Sequence, residues 1–242
     1  MNEKELKTSS KQRVVIVIVT ILMLVSIIAG YAAIIANGSS SMNSGTNNQI
    51  DPELIAKYGE EYEALKNEFV ELASSDFDEF IEYKSEIKGY NENTANSDGL
   101  KTRDLKIGTG KELKDGDTDY LAYYVGWCAD ESIFDSSFDN HEDPKAFTKI
   151  LDASLGMIEG WNTGVQGMNI GGIREVTIPG ELAYGDSMEI CGGKNKPLKF
   201  MIMTKEKTGK LAELAADLDE AFMRYQYAQY GIDYDSVRQN TE

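Results

Sequence analysis

The sequence predicts an α+β protein: an antiparallel sheet wrapped on one short helix, with an N-terminal transmembrane helix and flanking amphipathic helices. Three observations carry this. Residues 14–36 contain no charged side chain. Between about 98 and 207, "DYLAYYVGW", "IREVTIP" and "LKFMIMT" alternate with the period of two that marks strands. On either side of that region, apolar residues recur three and four apart, the spacing of a helix face.

Taken in order, residues 1–13 are a short basic terminus with Lys4, Lys7, Lys11 and Arg13 against two acidic side chains. Residues 14–36, "VVIVIVTILMLVSIIAGYAAIIA", would span about 34 Å as a helix, enough for a bilayer core of roughly 30 Å. The stretch exceeds the apolar core of about 7–15 residues in a cleaved signal peptide, so a retained anchor is expected. No cysteine follows it, which excludes lipoprotein processing. Basic residues on the N-terminal side put that terminus in the cytoplasm and everything after about residue 37 outside a cell membrane, as a single-pass protein. Residues 37–50 read as a flexible Gly/Ser/Asn spacer.

Residues 51–97 read as a helical stalk. Asp51 is placed as N-cap and Pro52 as first helical residue, and Ile55, Tyr58, Tyr62, Leu65, Phe69 and Leu72 form one stripe. "ASSDFDEF" breaks the period, and a second helix is expected through Phe77, Phe80 or Ile81, and Ile87, ending at "GYNENTANSDG". Residues 208–242 form a C-terminal helix and tail, with Leu211, Leu214, Leu218, Phe222 and Tyr225 on one face. These helices either pack on each other or on the main domain, or pair as a coiled-coil homodimer. Fewer than four clean heptads favour the first reading. Within residues 98–207, "KDGD" and "NIGG" mark turns, and Ile158, Trp161, Val165 and Met168 share the face of a short helix in "MIEGWNTGVQGM".

Composition narrows the function. A net charge of −17 argues against a nucleic-acid partner, which needs a basic face. The two cysteines, Cys128 and Cys191, are too few for a disulfide-built scaffold and are wrongly spaced for zinc, and no metal or other cofactor is expected. The single histidine, His141, lies in the acidic stretch "FDNHEDP". A histidine-dependent nucleophile would have to rest on that surface loop.

The ordered motifs "IGTG", "GD", "YYVGW", "IFDSS", "MIEGWNTGVQGM", "GG", "TIPGELAYGD" and "PLKF" resemble the FKBP-type peptidyl-prolyl isomerases over most of residues 100–206. The resemblance implies a half-barrel sheet of about five strands around one helix, with an aromatic pocket for proline-containing polypeptides. Matched motif by motif, it implies Tyr124, Phe134, Asp135, Ile158, Trp161, Tyr184 and Phe200 as catalytic residues, Trp161 being the pocket floor. Phe147, Met157 and Ile190 are implied as substrate-binding residues. Met157 stands where the family often has valine. The loop "DSMEICGGKNK" lacks the family's Ile-Pro-Pro. An oxidising compartment and the place of Cys191 in that loop suggest a Cys128–Cys191 disulfide replacing the missing rigidity, the alternative being two separate thiols.

The implied activity is cis–trans isomerisation of X–Pro bonds, assisting the folding of exported proteins. Rotation must break amide resonance, over a barrier of about 18–20 kcal/mol. The twisted amide is the less dipolar, so a dry pocket with donors for the flanking carbonyls favours it without nucleophile or metal. A non-catalytic chaperone or peptide-binding module, using the same pocket and the flanking helices, is the alternative.

Overall fold

The computed structural model describes residues 50–239, so the basic terminus, the 14–36 segment and most of the spacer lie outside the described residues. Among the described residues no helix is long and apolar enough to cross a membrane. By contact, the described residues up to Ser154 and from Ile158 onward form one compact unit, with Leu155–Met157 outside it.

The chain begins with two helices, α1 (Pro52–Leu72) and α2 (Ser74–Ile81). Asp51 caps α1 as its sequence position predicts, its carboxylate accepting from the Glu53 and Leu54 N–H groups at 2.9 and 3.3 Å. The second helix stops at Ile81, short of Ile87, and a 3₁₀ turn follows at Lys84–Glu86. Where the sequence suggested only a helix end, "NENTANS" forms a further helix, α3 (Glu92–Ser97). Asn91 caps it by accepting from the Thr94 N–H at 3.0 Å, a local bond that offsets a composition poor in helix formers.

Six antiparallel strands follow: β1 (Lys101–Lys106), β2 (Tyr120–Trp127), β3 (Ile133–Ser136), β4 (Leu151–Asp152), β5 (Ile173–Ile178) and β6 (Leu198–Glu206). Their order is β1-β5-β6-β2-β3, and β4 pairs with β2 ahead of β3 on the same edge. All eight residues of β2 are buried, so both faces of the sheet's centre are covered. One face carries Tyr120, Tyr124 and Gly126, with Phe200 across from Gly126 and Val176 across from Phe200. The short helix α4 (Glu159–Gly164) lies on it. The close approach has a visible cause. A Cβ on Gly160 would meet Ile178 at 2.2 Å, and one on Gly164 would meet Val176 at 2.4 Å, so these glycines, four apart, seat the helix against β5.

The opposite face carries Leu121, Tyr123, Val125, Trp127, Ile173, Met201 and Met203. Phe69 of α1, Phe77 and Phe80 of α2, and Leu214 and Leu218 of α5 (Gly209–Gln229) pack there as one core. The first and fifth helices run antiparallel, with ion pairs Glu68–Lys210 and Glu61–Arg224 and with Tyr62 against the rings of Phe222 and Tyr225. Among the described residues, then, the amphipathic stripes meet each other and the sheet within one chain. The "stalk" is a cover for the back of the sheet. A last helix, α6 (Tyr234–Gln239), follows.

Candidate active site

The site is built where the α4 face of β2 and β6 meets the helix. Trp161, 1 % exposed, stands at its floor because α4 turns that side chain toward the sheet. Its ring lies edge-on to Tyr124 (5.7 Å, 85°) and to Phe200 (5.3 Å, 78°), and Phe200 in turn meets Phe134 edge-on (5.5 Å, 88°). Edge-to-face rings of this kind fix one another beyond simple burial. The Trp161 indole N–H donates to the Tyr120 hydroxyl at 3.0 Å, so the one polar atom of the floor is satisfied. Gly126 makes the arrangement sterically feasible: a Cβ there would stand 2.7 Å from both Phe134 and Phe200.

Polar groups gather at the rim. The Tyr124 hydroxyl donates to Asp135 at 2.5 Å. The other carboxylate oxygen accepts from the Ser136 N–H at 2.8 Å and pairs with the Lys149 ammonium at 2.7 Å. That ammonium also lies 5.7 Å over the Tyr124 ring. Burial first, and Asp135 second, hold the Tyr124 hydroxyl well above the ordinary tyrosine range, so it remains a donor. Tyr184 is half-buried, and burial followed by Asp135 pushes its hydroxyl up to about 12. No described residue takes up that hydroxyl in a hydrogen bond, which leaves it free for a ligand. Ile158 is the residue before α4; its carbonyl accepts from the Trp161 and Asn162 N–H groups at 3.1 and 3.2 Å.

The structure thus brings Tyr124, Phe134, Asp135, Trp161 and Phe200 together, with the Tyr184 hydroxyl near Asp135. Phe147 does not belong with them. It stacks on Tyr123 (4.0 Å, 3°) and meets Phe77, Phe80 and Phe138, all on the far side of the sheet. The reason is the pleat: Tyr123 and Tyr124 are neighbours and point to opposite faces. Met157 is half-buried. Ile190 is half-buried at the base of a tight turn, where its N–H donates to the Gly193 carbonyl at 2.8 Å. Cys191 and Gly192 between them have φ of 53° and 77°, the left-handed pair of a type I′ turn. Cys191 is bonded to Cys128, whose Cα is 5.5 Å away, so the loop is fastened to the end of β2.

Residue-level reading missed Lys149, Tyr120 and Ser137. The Ser137 hydroxyl accepts from the Tyr124 N–H at 3.1 Å. Tyr120 was open to detection, since it lies four residues before Tyr124 and on the same strand face. Lys149 carries no such signal in a segment without periodicity.

Residues 110–205 match the model of the family described as FKBP-type peptidyl-prolyl cis-trans isomerase. An FK506-binding protein of Neisseria meningitidis serogroup B is 39% identical over 90 residues, covering 36% of this chain and 75% of its own. The chloroplastic peptidyl-prolyl cis-trans isomerase FKBP19 of Arabidopsis thaliana is 34% identical over 114 residues, 43% of each chain. Among solved structures, FkpA from Escherichia coli is 26% identical over 75% of this chain and 80% of its own, with a TM-score of 0.36. With 39% identity over three quarters of the Neisseria protein's length and a match to the family model, the chain belongs to the FKBP-type family and is a peptidyl-prolyl cis-trans isomerase.

Proposed function

We propose that the ring cluster is the site at which X–Pro segments of exported polypeptides are bound and isomerised, and that residues 14–36 anchor the protein in a cell membrane with the isomerase outside. The observation that carries the pocket reading is the Tyr184 hydroxyl, which has no hydrogen-bond partner among the described residues and lies near Tyr124 and Asp135, together with the ring cluster of Trp161, Tyr124, Phe200 and Phe134. In this reading the proline ring rests on Trp161. Apolar walls lower the cost of the twisted, less dipolar amide relative to the planar one. The Tyr184 hydroxyl and the Ile158 N–H hold the flanking carbonyls. Asp135, itself tied by Lys149 and the Ser136 N–H, keeps Tyr124 in place and its own charge compensated. The chain's own residues supply a dry surface and fixed donors, and no step transfers a proton.

Two measurements test this. A protease-free isomerisation assay on several X–Pro peptides should show a rate above background for the full-length chain, with apolar residues before proline preferred. A folded protein with the pocket intact and no such rate would leave only peptide binding. For the anchor, external protease on intact cells should remove the isomerase region. Its protection, or a mature N-terminus near residue 37, would overturn the topology.

A further inference from the structure

We infer that Asn96, outside the region matched by the family, is a positioning residue for the turn that carries Tyr184. Its side-chain oxygen accepts from the Gly180 N–H at 2.8 Å, across 84 residues of sequence. Gly180 is the anchor of that turn. Its carbonyl accepts from the Ala183 and Gly185 N–H groups at 3.1 and 2.9 Å, and the Gly185 carbonyl accepts from the Asn195 N–H at 2.7 Å. Tyr184 lies between these bonds.

Only glycine fits at this point, because a Cβ on Gly180 would come within 2.1 Å of the Asn195 carbonyl oxygen. The same crowding buries the Gly180 main chain, so its N–H needs an acceptor from the protein. Asn96 supplies one. Helix α3, which carries it, and the residue two before its start clasp the loop ahead of β6. The Tyr90 hydroxyl donates to the Pro197 carbonyl at 2.7 Å, and Glu92 pairs with Lys196 at 2.6 Å. The segment ahead of β1 therefore braces one wall of the pocket. A hydroxyl that must meet a substrate carbonyl loses its effect when its support shifts, even though the support touches no substrate.

The inference rests on the pocket reading above, and the test separates the two. In the full-length chain, Asn96→Ala should lower kcat/KM roughly three- to tenfold, as for loss of one buried bond. Asn96→Asp, which keeps an acceptor oxygen, should stay within about twofold of wild type. Tyr184→Phe should cost much less on the Asn96→Ala background than alone, because the hydroxyl is already displaced. Should Asn96→Ala fail to fold, Asn96→Gln takes its place, keeping the amide but moving the acceptor outward. Wild-type kcat/KM in the folded Ala or Gln variant, an Asp variant as impaired as the Ala one, or independent losses in the double variant would each overturn the positioning role. Wild-type kcat/KM for Tyr184→Phe alone would instead count against the pocket reading.

Discussion

Trp161 and Tyr184 differ in what each would contribute to the proposed site, and the difference is measurable. The Tyr184 hydroxyl makes no bond within the described protein, so Tyr184→Phe should leave stability unchanged. It should cost catalysis about one hydrogen bond, roughly 0.5–1.5 kcal/mol or two- to tenfold in kcat/KM. Trp161 is fully buried, meets two rings edge-on and satisfies Tyr120. Trp161→Ala should remove about 3–5 kcal/mol of stability as well as most activity, because it opens a cavity and strands the Tyr120 hydroxyl. Paired denaturation midpoints and kcat/KM values check both. Equal stability losses in the two variants would contradict this division. Asp135 shows why a charge belongs at this rim: three donors surround it, so its carboxylate costs the apolar pocket little.

The contact of α4 with β5 is the element-level feature that seats Trp161 against the sheet. Gly164→Ala drives a methyl group into Val176, and the helix must move away from the sheet. A cost of about 1–3 kcal/mol is expected, with reduced activity because Trp161 rides on the same helix. Urea midpoints and kcat/KM measured together would show it, and an unchanged variant would mean that the helix has room to spare. The loop after Tyr184 depends on a different device. The Cys128–Cys191 bond closes a stretch 63 residues apart in sequence and lies beside an open cavity of about 300 Å³ lined in part by Glu92 and Asp130. Reduction should therefore be achievable without unfolding, and should remove about 2–5 kcal/mol. Thiol titration of the native non-reduced protein should find none, and two free thiols would refute the pairing.

Across the whole molecule, one core joins the isomerase sheet to α1, α2 and α5, so the folding unit extends well beyond residues 98–207. Cutting there would expose Tyr123, Phe138 and Phe147, all now buried by the flanking helices. The two-sided burial also gathers tyrosines. Burial raises the hydroxyls of Tyr120 and Tyr184 to about 12, and burial likewise raises those of Tyr90, Tyr123 and Tyr124. Below about pH 9 all are neutral in both folded and unfolded chains. As pH rises from about 10 toward 12, the unfolded chain releases protons that the folded one retains, so stability must fall. The slope approaches about 1.4 kcal/mol per pH unit for each such group. Denaturant midpoints followed from pH 8 to 12, with tyrosinate absorbance, should show a flat region and then a steep loss beginning near pH 10. A midpoint unchanged to pH 11 would contradict the burial of these hydroxyls.

What the sequence by itself determined is whatever has a local cause. The period of two in β2, β5 and β6, the three-and-four stripe of α1 and α5, and the Asp51–Pro52 start of α1 all rest on neighbours within a turn or a strand. The candidate pocket residues were legible only through the resemblance of their short, ordered motifs to the FKBP-type family, since each ring taken alone reads as core. The tertiary structure decided the rest. Strand β1, "KTRDLK", has no buried face over its first four residues and so no period to detect; it exists as an edge strand because β5 offers it a ladder and Glu86 and Glu175 meet Arg103. Phe147 is a buried aromatic whichever side of the sheet it occupies, and its stacking on Tyr123 together with the packing of α2 put it on the far one. The Asp135–Lys149 pair and the Asn96 bond to Gly180 join residues 14 and 84 positions apart. No local pattern encodes such meetings, because they are made by the path of the chain between them.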